Sequence, residues 1–306
     1  MITKHTHKKL TWIDVENPNP EEIRSLAVEY DINPLAANEL LSPTLRPKVE
    51  LHHNLIYIIL HFPIFSEAER HTYSHEVDFI LTKHALVTVA YGQVKPLEDF
   101  FKQCSSEESA REAYAANTPA HLFYFALKGL YDFALRELDH IQENINRLEE
   151  RVFSAKHGEE ALIEDLSFVR RDIIDFSRSL KPQQLALESL VIQGVSIYGA
   201  SLKPFFEELI GEYQKVWNLI ENSKEAVDAL YDNNVAVLNI KQNETMRVLS
   251  IMAFTTFPLV LFAQLFSMST VATPIIGYRY DFWVIISLML AAAIGMFVFF
   301  KRKRWL

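Results

Sequence analysis

One face of a predicted helix near the C-terminus carries side chains that could solvate or coordinate a cation. Nine positions between residues 232 and 264 are three, four or seven apart and therefore share one face of an α-helix. They are Asp232, Asn239, Asn243, Met246, Ser250, Ala253, Phe257, Val260 and Gln264. Carboxylates and carboxamides on a stripe that runs into a bilayer are costly when they face lipid. The stripe favours a water-filled axis shared by several copies of the chain, although a solvated or interface face would show the same spacing.

Two apolar segments at the end of the chain are the elements that would position this stripe. Residues 248–268 and 282–300 are each about 20 residues long, enough to span roughly 30 Å of hydrocarbon as α-helices. Residues 301–306 begin with four consecutive basic side chains, which by the positive-inside rule predicts a cytoplasmic tail. Two spans then place the N-terminus in the cytoplasm as well. We expect a multi-pass protein of the inner (plasma) membrane.

The composition argues against several other classes of protein. The 306 residues include 39 acidic and 30 basic side chains, and the net charge of −9 argues against nucleic acid as a partner. The sequence has no glycine-rich phosphate loop and no nucleophile motif, so we predict neither an enzyme nor an obligatory cofactor. The single cysteine, Cys104, cannot form an intramolecular disulfide and fits a reducing compartment. The N-terminal residues lack the apolar core of a signal peptide.

The N-terminal residues 1–118 predict a cytoplasmic α/β domain. β-branched and aromatic residues cluster between polar breaks at Leu10–Val15, Lys48–His61, Glu76–Thr82 and Leu86–Tyr91, which predicts four strands. A helix is predicted after the first of these strands, following a Pro-Asn-Pro turn and beginning with two glutamates at the favourable end of its dipole.

From residue 119 the pattern changes to long amphipathic helices. Residues 119–197 predict an antiparallel hairpin that turns near His157-Gly158 and whose second helix continues to about residue 195. Residues 198–247 predict a stalk helix that passes without a break into 248–268, since no proline follows Pro204 until the middle of the apolar segment. At 1.5 Å per residue this helix would be on the order of 90 Å long.

The stalk also carries a near-heptad apolar row, which favours self-association around an axis. The row consists of Leu209, Tyr213, Val216, Ile220, Val227, Leu230, Leu238 and Met246.

The stretch NETMRVLSIMAFTTFPLVLFAQLF, residues 243–266, resembles the pore helix of CorA-type divalent metal ion transporters. It shares the family's Asn-Glu-x-Met-x-x-Leu start and a proline nine residues before the position of the signature tripeptide. WIDVENPNPEEI at residues 12–23, RPKVE at 46–50 and EVDFILTKHALVTV at 76–89 follow in the family's order, as do the helical hairpin and the basic C-terminus. The resemblance covers essentially the full length of the chain.

This resemblance implies an α+β membrane protein that assembles in the bilayer as a funnel-shaped homopentamer. Each subunit would contribute an α/β/α cytoplasmic domain, a long stalk helix continuous with the first transmembrane helix, and a second transmembrane helix at the C-terminus. The first span would line the central pore and the second would form an outer ring. The implied cargo is a divalent cation such as Mg²⁺ or Co²⁺, which could also act as a regulator.

The resemblance also assigns roles to individual residues. The predicted pore-lining and gate positions are Asn243, Met246, Leu249, Ser250, Phe257 and Gln264. The first three match the constriction at the cytoplasmic end of the pore, and Phe257 matches a further apolar gate. Asp232 would form a ring of acidic side chains low in the pore. Glu208 matches an acidic position that helps to bind regulatory divalent cations between subunits, and its carboxylate suits a hard cation.

The selectivity filter is where this chain departs from the family. The signature Gly-Met-Asn is replaced by Ser267-Met268-Ser269, so only the methionine is kept. The family's asparagine offers its side-chain carbonyl to the hydration shell of Mg²⁺, which gives up its waters reluctantly. Ser269 also carries an oxygen, but on a shorter side chain. The external loop, residues 269–281, holds one acid and one base and therefore no negative field that would concentrate cations.

Three functions therefore stay open at this point. The first is a channel or transporter for divalent cations (Mg²⁺ and Co²⁺, with Zn²⁺ and Ni²⁺ as further candidates) with an atypical filter. The second is a pore of changed ion selectivity, and the third is a non-transporting membrane module that regulates or assembles partners. The sequence leaves open the ion, the direction of transport and whether intracellular metal gates the pore.

Overall fold

A computed structural model describes residues 2–66, 71–114, 118–154, 160–268, 275–277 and 279–303. The chain forms two compact units, Met1–Tyr231 and Asp232–Leu306.

The first unit is built on a six-stranded sheet with the strand order β1-β2-β6-β5-β4-β3. The strands are β1 (Ile2–His7), β2 (Leu10–Glu16), β3 (Lys48–His52), β4 (Leu55–Ser66), β5 (His71–Leu81) and β6 (Ala85–Ala90). Neighbouring strands are antiparallel except for β2 and β6, which run parallel. Strand β4 is buried from Leu55 to Pro63 because alternate residues enter different cores, Ile56 and Ile58 on one face and Tyr57 and Ile59 on the other. A strand covered on both faces reads as a continuous apolar run.

Helices cover both faces of this sheet. One face packs against α1 (Pro20–Glu29) and α2 (Pro34–Glu39). The other face packs against the larger helical layer, formed by α3 (Lys95–Ser106), α4 (Glu108–Tyr114), α5 (Pro119–Ser154), α6 (Glu160–Leu180), α7 (Gln183–Tyr198) and the first part of α8 (Lys203–Ser267). The predicted arrangement of a sheet between two helical layers is confirmed.

Three predicted elements need correction. An additional strand, β1, precedes the first predicted one. The predicted strand Lys48–His61 is two strands, β3 and β4, because a turn with His53 at φ 41° separates them. The second helix of the hairpin does not run to residue 195 but ends at Leu180, and α7 begins after Pro182. Proline has no N–H to donate to the carbonyl four residues earlier, so the helix breaks there.

Helix α8 is unbroken from Lys203 to Ser267, which confirms the predicted continuity between the stalk and the first apolar segment. The prediction that the near-heptad row on this helix serves self-association is wrong for six of its eight members. Its first six members, from Leu209 to Leu230, are buried in the core of the subunit itself, together with α5 and α6. Leu238 is half-buried and Met246 is exposed.

The second unit contains the remainder of α8 and the helix α9 (Asp281–Arg302). Both helices are long and apolar enough to cross a membrane by length and composition, and their most apolar windows are not buried within the subunit.

Candidate functional site

Helix α8 carries all the predicted pore positions except Met268 and Ser269. Because the helix is unbroken and each residue advances by about 100°, the nine positions of the stripe fall within a sector of roughly 100°. Leu249 and Ser267 lie about 70° from the centre of that sector on the same geometry. The fold therefore aligns the stripe along one face and leaves these two residues at its edge.

The side chains of this face are solvent-exposed in the single subunit. Met246 is 56% exposed and Phe257 is 74% exposed, while Ser250 is half-buried. The other stripe positions, Asp232, Asn239, Asn243, Ala253, Val260 and Gln264, are exposed as well, and so is the neighbouring Leu249. Large apolar side chains that are exposed in this number mark a surface that other molecules or lipid cover.

Pro258 removes one backbone hydrogen bond from α8, as it has no N–H. Two threonines next to it make local hydrogen bonds. The hydroxyl of Thr255 donates to the carbonyl oxygen of Ile251 at 2.7 Å, and that of Thr256 donates to the carbonyl oxygen of Met252 at 2.8 Å. These bonds satisfy the hydroxyl donors inside an apolar segment, where an unpaired donor would be costly.

The predicted filter lies at the end of α8. Ser267 is the last helical residue, Met268 follows it in a bend, and Ser269 lies outside the described residues. On the other side of the connection, the carboxylate of Asp281 accepts hydrogen bonds from the backbone N–H of Gly277 at 3.1 Å and of Phe282 at 2.7 Å. This acid is therefore used locally, at the beginning of α9.

Helix α9 has the side-chain distribution of a membrane-spanning helix. Tyr280 and Trp283 lie at its beginning, and Lys301 and Arg302 form its last turn. Its 22 residues correspond to roughly 33 Å. Amphipathic aromatic rings at one end and basic residues at the other suit the two interfaces of a bilayer.

Glu208, the predicted regulatory metal ligand, is in an ion pair. Its Oε1 lies 2.7 Å from Nζ of Lys128, and the same ammonium lies 3.3 Å from Oε1 of Glu212. This hydrogen bond to Lys128 lowers the pKa of Glu208 below its usual value and raises that of Lys128 above its usual value. Sequence reasoning missed Lys128, because it lies 80 residues from Glu208 and no spacing rule connects them. Within the described part of the chain, no group of three or more His, Cys, Asp or Glu side chains is arranged to hold a metal ion.

A second cluster that the sequence did not indicate is buried in the sheet. Asp78 on β5 is fully buried, and its Oδ2 accepts hydrogen bonds from the hydroxyls of Tyr91 at 2.9 Å and Tyr57 at 3.1 Å. Burial, followed by the negative charge of Glu76, raises the pKa of Asp78 well above its usual value. Glu76 is buried as well, and its Oε2 lies 3.1 Å from Nε2 of His61. The cluster belongs to the internal structure of the first unit.

Comparison with known proteins identifies the family. The family model of the CorA-like Mg²⁺ transporter protein matches residues 7–302, nearly the whole chain. The chain belongs to this family. Members of the CorA-like family are membrane transport proteins and not enzymes, as expected from the sequence.

Individual CorA relatives are similar along their length but distant in sequence. The cobalt/magnesium transport protein CorA of Thermotoga maritima is 24% identical over 298 residues, which cover 97% of this chain and 83% of that protein. The complete structure of the CorA magnesium transporter from Methanocaldococcus jannaschii matches with a TM-score of 0.84 at 19% identity, covering 99% of this chain and 93% of that one. The full-length CmaX protein matches with a TM-score of 0.74 at 17% identity, covering 97% and 89%. At these identities the structural matches establish the CorA-like fold.

Proposed function

We propose that this CorA-like chain forms a homopentameric pore for divalent metal cations such as Mg²⁺ or Co²⁺ in the inner membrane, with both termini in the cytoplasm. The observation that carries the proposal is the unbroken α8, which continues a stripe of acid, amide and hydroxyl side chains into an apolar segment. Such a stripe becomes favourable when several copies enclose a water-filled axis. Family membership and the transport function of the named relatives support divalent cations as the cargo.

Each position on the stripe has a proposed role along the pore. Five copies of Asp232 would form a ring that attracts cations by Coulomb interaction. Asn243 would contact the hydrated ion, whereas Met246 and Leu249 would form an apolar constriction that closes by excluding water. Phe257 would form a second apolar constriction within the membrane-spanning part of α8. Ser250 and Gln264 would line the pore between and beyond these points.

The outer filter would consist of Ser267, Met268 and Ser269. A serine hydroxyl is both donor and acceptor and reaches less far than the carboxamide of asparagine. A ring of five serines would therefore be wider and would orient the water shell of Mg²⁺ less strictly. This substitution favours one alternative, a pore with the same architecture that passes other ions. A non-transporting module with a permanently closed constriction is the remaining alternative.

Ion flux into liposomes that contain the purified full-length chain tests these functions. A divalent-sensitive dye reports Mg²⁺ and Co²⁺ entry, and parallel assays report Na⁺ and K⁺. We expect divalent flux that falls in Asp232→Asn and Ser269→Ala but not in Asp99→Asn, which makes the same charge change at an exposed site on α3. Monovalent flux alone would indicate changed selectivity, and no flux of any ion would support the non-transporting module.

The assembly is tested independently of transport. Native mass spectrometry of the detergent-solubilised protein should give five times the subunit mass of 35.4 kDa. A different stoichiometry would contradict the pentameric pore even if the liposomes conduct.

A further inference from the structure

The ammonium group of Lys128 lies where a cation would bind between two carboxylates. Lys128 is on α5, and Glu208 and Glu212 lie four residues apart on α8, so their carboxylates share a face. The Nζ atom is 2.7 Å from Glu208 Oε1, 3.3 Å from Glu212 Oε1 and 3.3 Å from the hydroxyl of Tyr124. One ammonium therefore bridges both acids.

The packing around this ammonium holds it in place. Phe205 of α8 contacts Tyr124 of α5 edge-on, with 5.2 Å between the ring centroids, which fixes the two helices against each other. The Lys128 ammonium also lies 5.7 Å from the centre of the Tyr124 ring, within the range of a cation–π interaction. The side chain of Glu212 is only 5% exposed, so its carboxylate cannot turn away into solvent. The second cation on Glu212, Lys215, lies 2.8 Å from the other oxygen of that acid and does not reach Glu208.

Both partners keep their charges at neutral pH. The hydrogen bond to Glu208 is the largest cause of the raised pKa of Lys128, and the same bond lowers the pKa of Glu208. The attraction between the two side chains is therefore present over the physiological pH range.

The regulatory divalent cation that the family resemblance implies at Glu208 does not fit these surroundings. A hard cation such as Mg²⁺ requires about six oxygen ligands at close to 2 Å, and the Glu208 carboxylate would have to face it. In this subunit the carboxylate faces an ammonium, which would repel a metal ion brought to the same oxygen. Lys128 and a divalent cation therefore compete for one position.

We propose that Lys128 is a built-in cation that takes the place of the regulatory divalent ion at Glu208, so that intracellular metal does not act on this chain through that carboxylate. The consequence for gating rests on the proposed transport function, whereas the occupation of Glu208 by Lys128 does not. A covalently attached ammonium is present at a constant effective concentration, so the site is filled whatever the metal concentration in the cytoplasm.

Metal binding by the purified full-length protein tests the occupation directly. The unfolding midpoint of the first unit is measured with increasing Mg²⁺ or Co²⁺ in wild type, Lys128→Met and the matched control Lys215→Met, which removes the other lysine from Glu212. We expect Lys128→Met to gain a saturable, metal-dependent increase of about 5 °C or more at a hundredfold excess over the dissociation constant. The double variant Lys128→Met/Glu208→Gln should lose this gain, and Lys215→Met should respond like wild type.

A second comparison keeps the proposal testable if Lys128→Met does not fold. Wild type and Glu208→Gln should then show the same response to metal, because Glu208 binds none in wild type. A metal-dependent stabilisation of wild type that disappears in Glu208→Gln would overturn the proposal, as would a folded Lys128→Met that gains no response.

The gating consequence is measured separately in the liposome assay. Flux through wild type should be equally sensitive to Mg²⁺ on the cytoplasmic side with and without Glu208→Gln, whereas Lys128→Met should become more strongly inhibited. If no variant conducts, the proposed transport function is wrong, but the metal-binding experiment still decides whether Lys128 occupies the site.

Discussion

Replacing Asp78 with asparagine should change how the stability of the first unit depends on pH. Asp78 is fully buried, and two tyrosine hydroxyls donate to its Oδ2. Its Oδ1 and the Oε1 atom of Glu76 are buried and have no hydrogen-bond partner. A proton on Asp78 allows the two acids to hydrogen-bond to each other, and the pKa of Asp78 is raised by burial first and by Glu76 second. The folded state therefore holds a proton that the unfolded chain releases.

The sign and size of the effect follow from this proton. An unfolded aspartate releases its proton near pH 3.9, and the folded Asp78 does so at a higher pH. Between these two values the folded state binds more protons, so the free energy of unfolding falls as the pH rises. One proton corresponds to a slope of at most about 1.4 kcal/mol per pH unit. Asparagine has the shape of the protonated acid, keeps an acceptor for the tyrosines and can donate to Glu76, so Asp78→Asn should remove this slope.

Urea unfolding of the first unit, followed by tryptophan fluorescence between pH 5 and pH 8, measures the difference between wild type and variant. We expect Asp78→Asn to gain stability over wild type as the pH rises, by up to about 1.4 kcal/mol for each pH unit within the window. Asp139→Asn, an exposed acid on α5, provides the control and should follow wild type. A variant that loses stability equally at all pH values would show that Asp78 is ionised in the folded state and would refute the reasoning.

Two further changes test the packing of the first unit by thermal unfolding. A Cβ atom at Gly194 would lie 2.4 Å from the ring of Phe206, so Gly194→Ala should cost about 1–3 kcal/mol through overpacking. In the control Gly211→Ala, the added Cβ meets no atom within 4 Å, and the change should be neutral or stabilising. Equal effects of the two changes would contradict the contact with Phe206. Trp12→Phe removes the hydrogen bond that the indole N–H donates to Oγ1 of Thr88 at 3.1 Å and also leaves part of the volume of this buried ring unfilled. We expect a loss of at least about 1 kcal/mol, and an unchanged midpoint would contradict both contributions.

The sequence predicts the elements that have a strong apolar period. It does not predict features that depend on a single local residue or on a partner far away in the chain. Strand β1, with the sequence ITKHTH, is an edge strand whose residues are all half-buried or exposed, so it shows little of the apolar pattern of a strand. The helix break at Pro182 carries a sequence signal, the proline itself, but the apolar period resumes directly after it and predicts one continuous helix. The turn at His53 has a positive φ, and no glycine stands at this position to indicate a turn in the sequence.

Periodicity also does not identify the partner of a buried face. The apolar row from Leu209 to Leu230 was expected to contact other copies of the chain, yet it packs into the core of its own subunit. In contrast, Met246 and Phe257 further along the same helix are exposed and remain available for other copies or lipid. The sequence shows that a face must be covered, and tertiary structure determines what covers it.

In the candidate site, too, some features follow from the sequence pattern and others depend on tertiary structure. The alignment of Asn243, Phe257 and Gln264 follows from helical geometry alone, so the sequence predicted it and the unbroken α8 confirms it. The state of Glu208 depends on a lysine 80 residues away, which no local pattern could reveal. Position within a family motif therefore predicted where Glu208 lies but not what it binds in this chain.

The two features proposed to alter ion handling would change the ligands available to a cation and leave the scaffold intact. Ser267 is the last residue of α8, and Lys128 is a partly exposed side chain of α5 that pairs with Glu208. Neither residue belongs to the apolar periodicity that specifies the helices. If the serine filter and the Lys128 ion pair act as proposed, architecture and ion handling are encoded by different residues. The flux and metal-binding experiments test this separation, because a changed choice of ion or a changed response to metal would then occur in a chain that keeps the CorA-like fold.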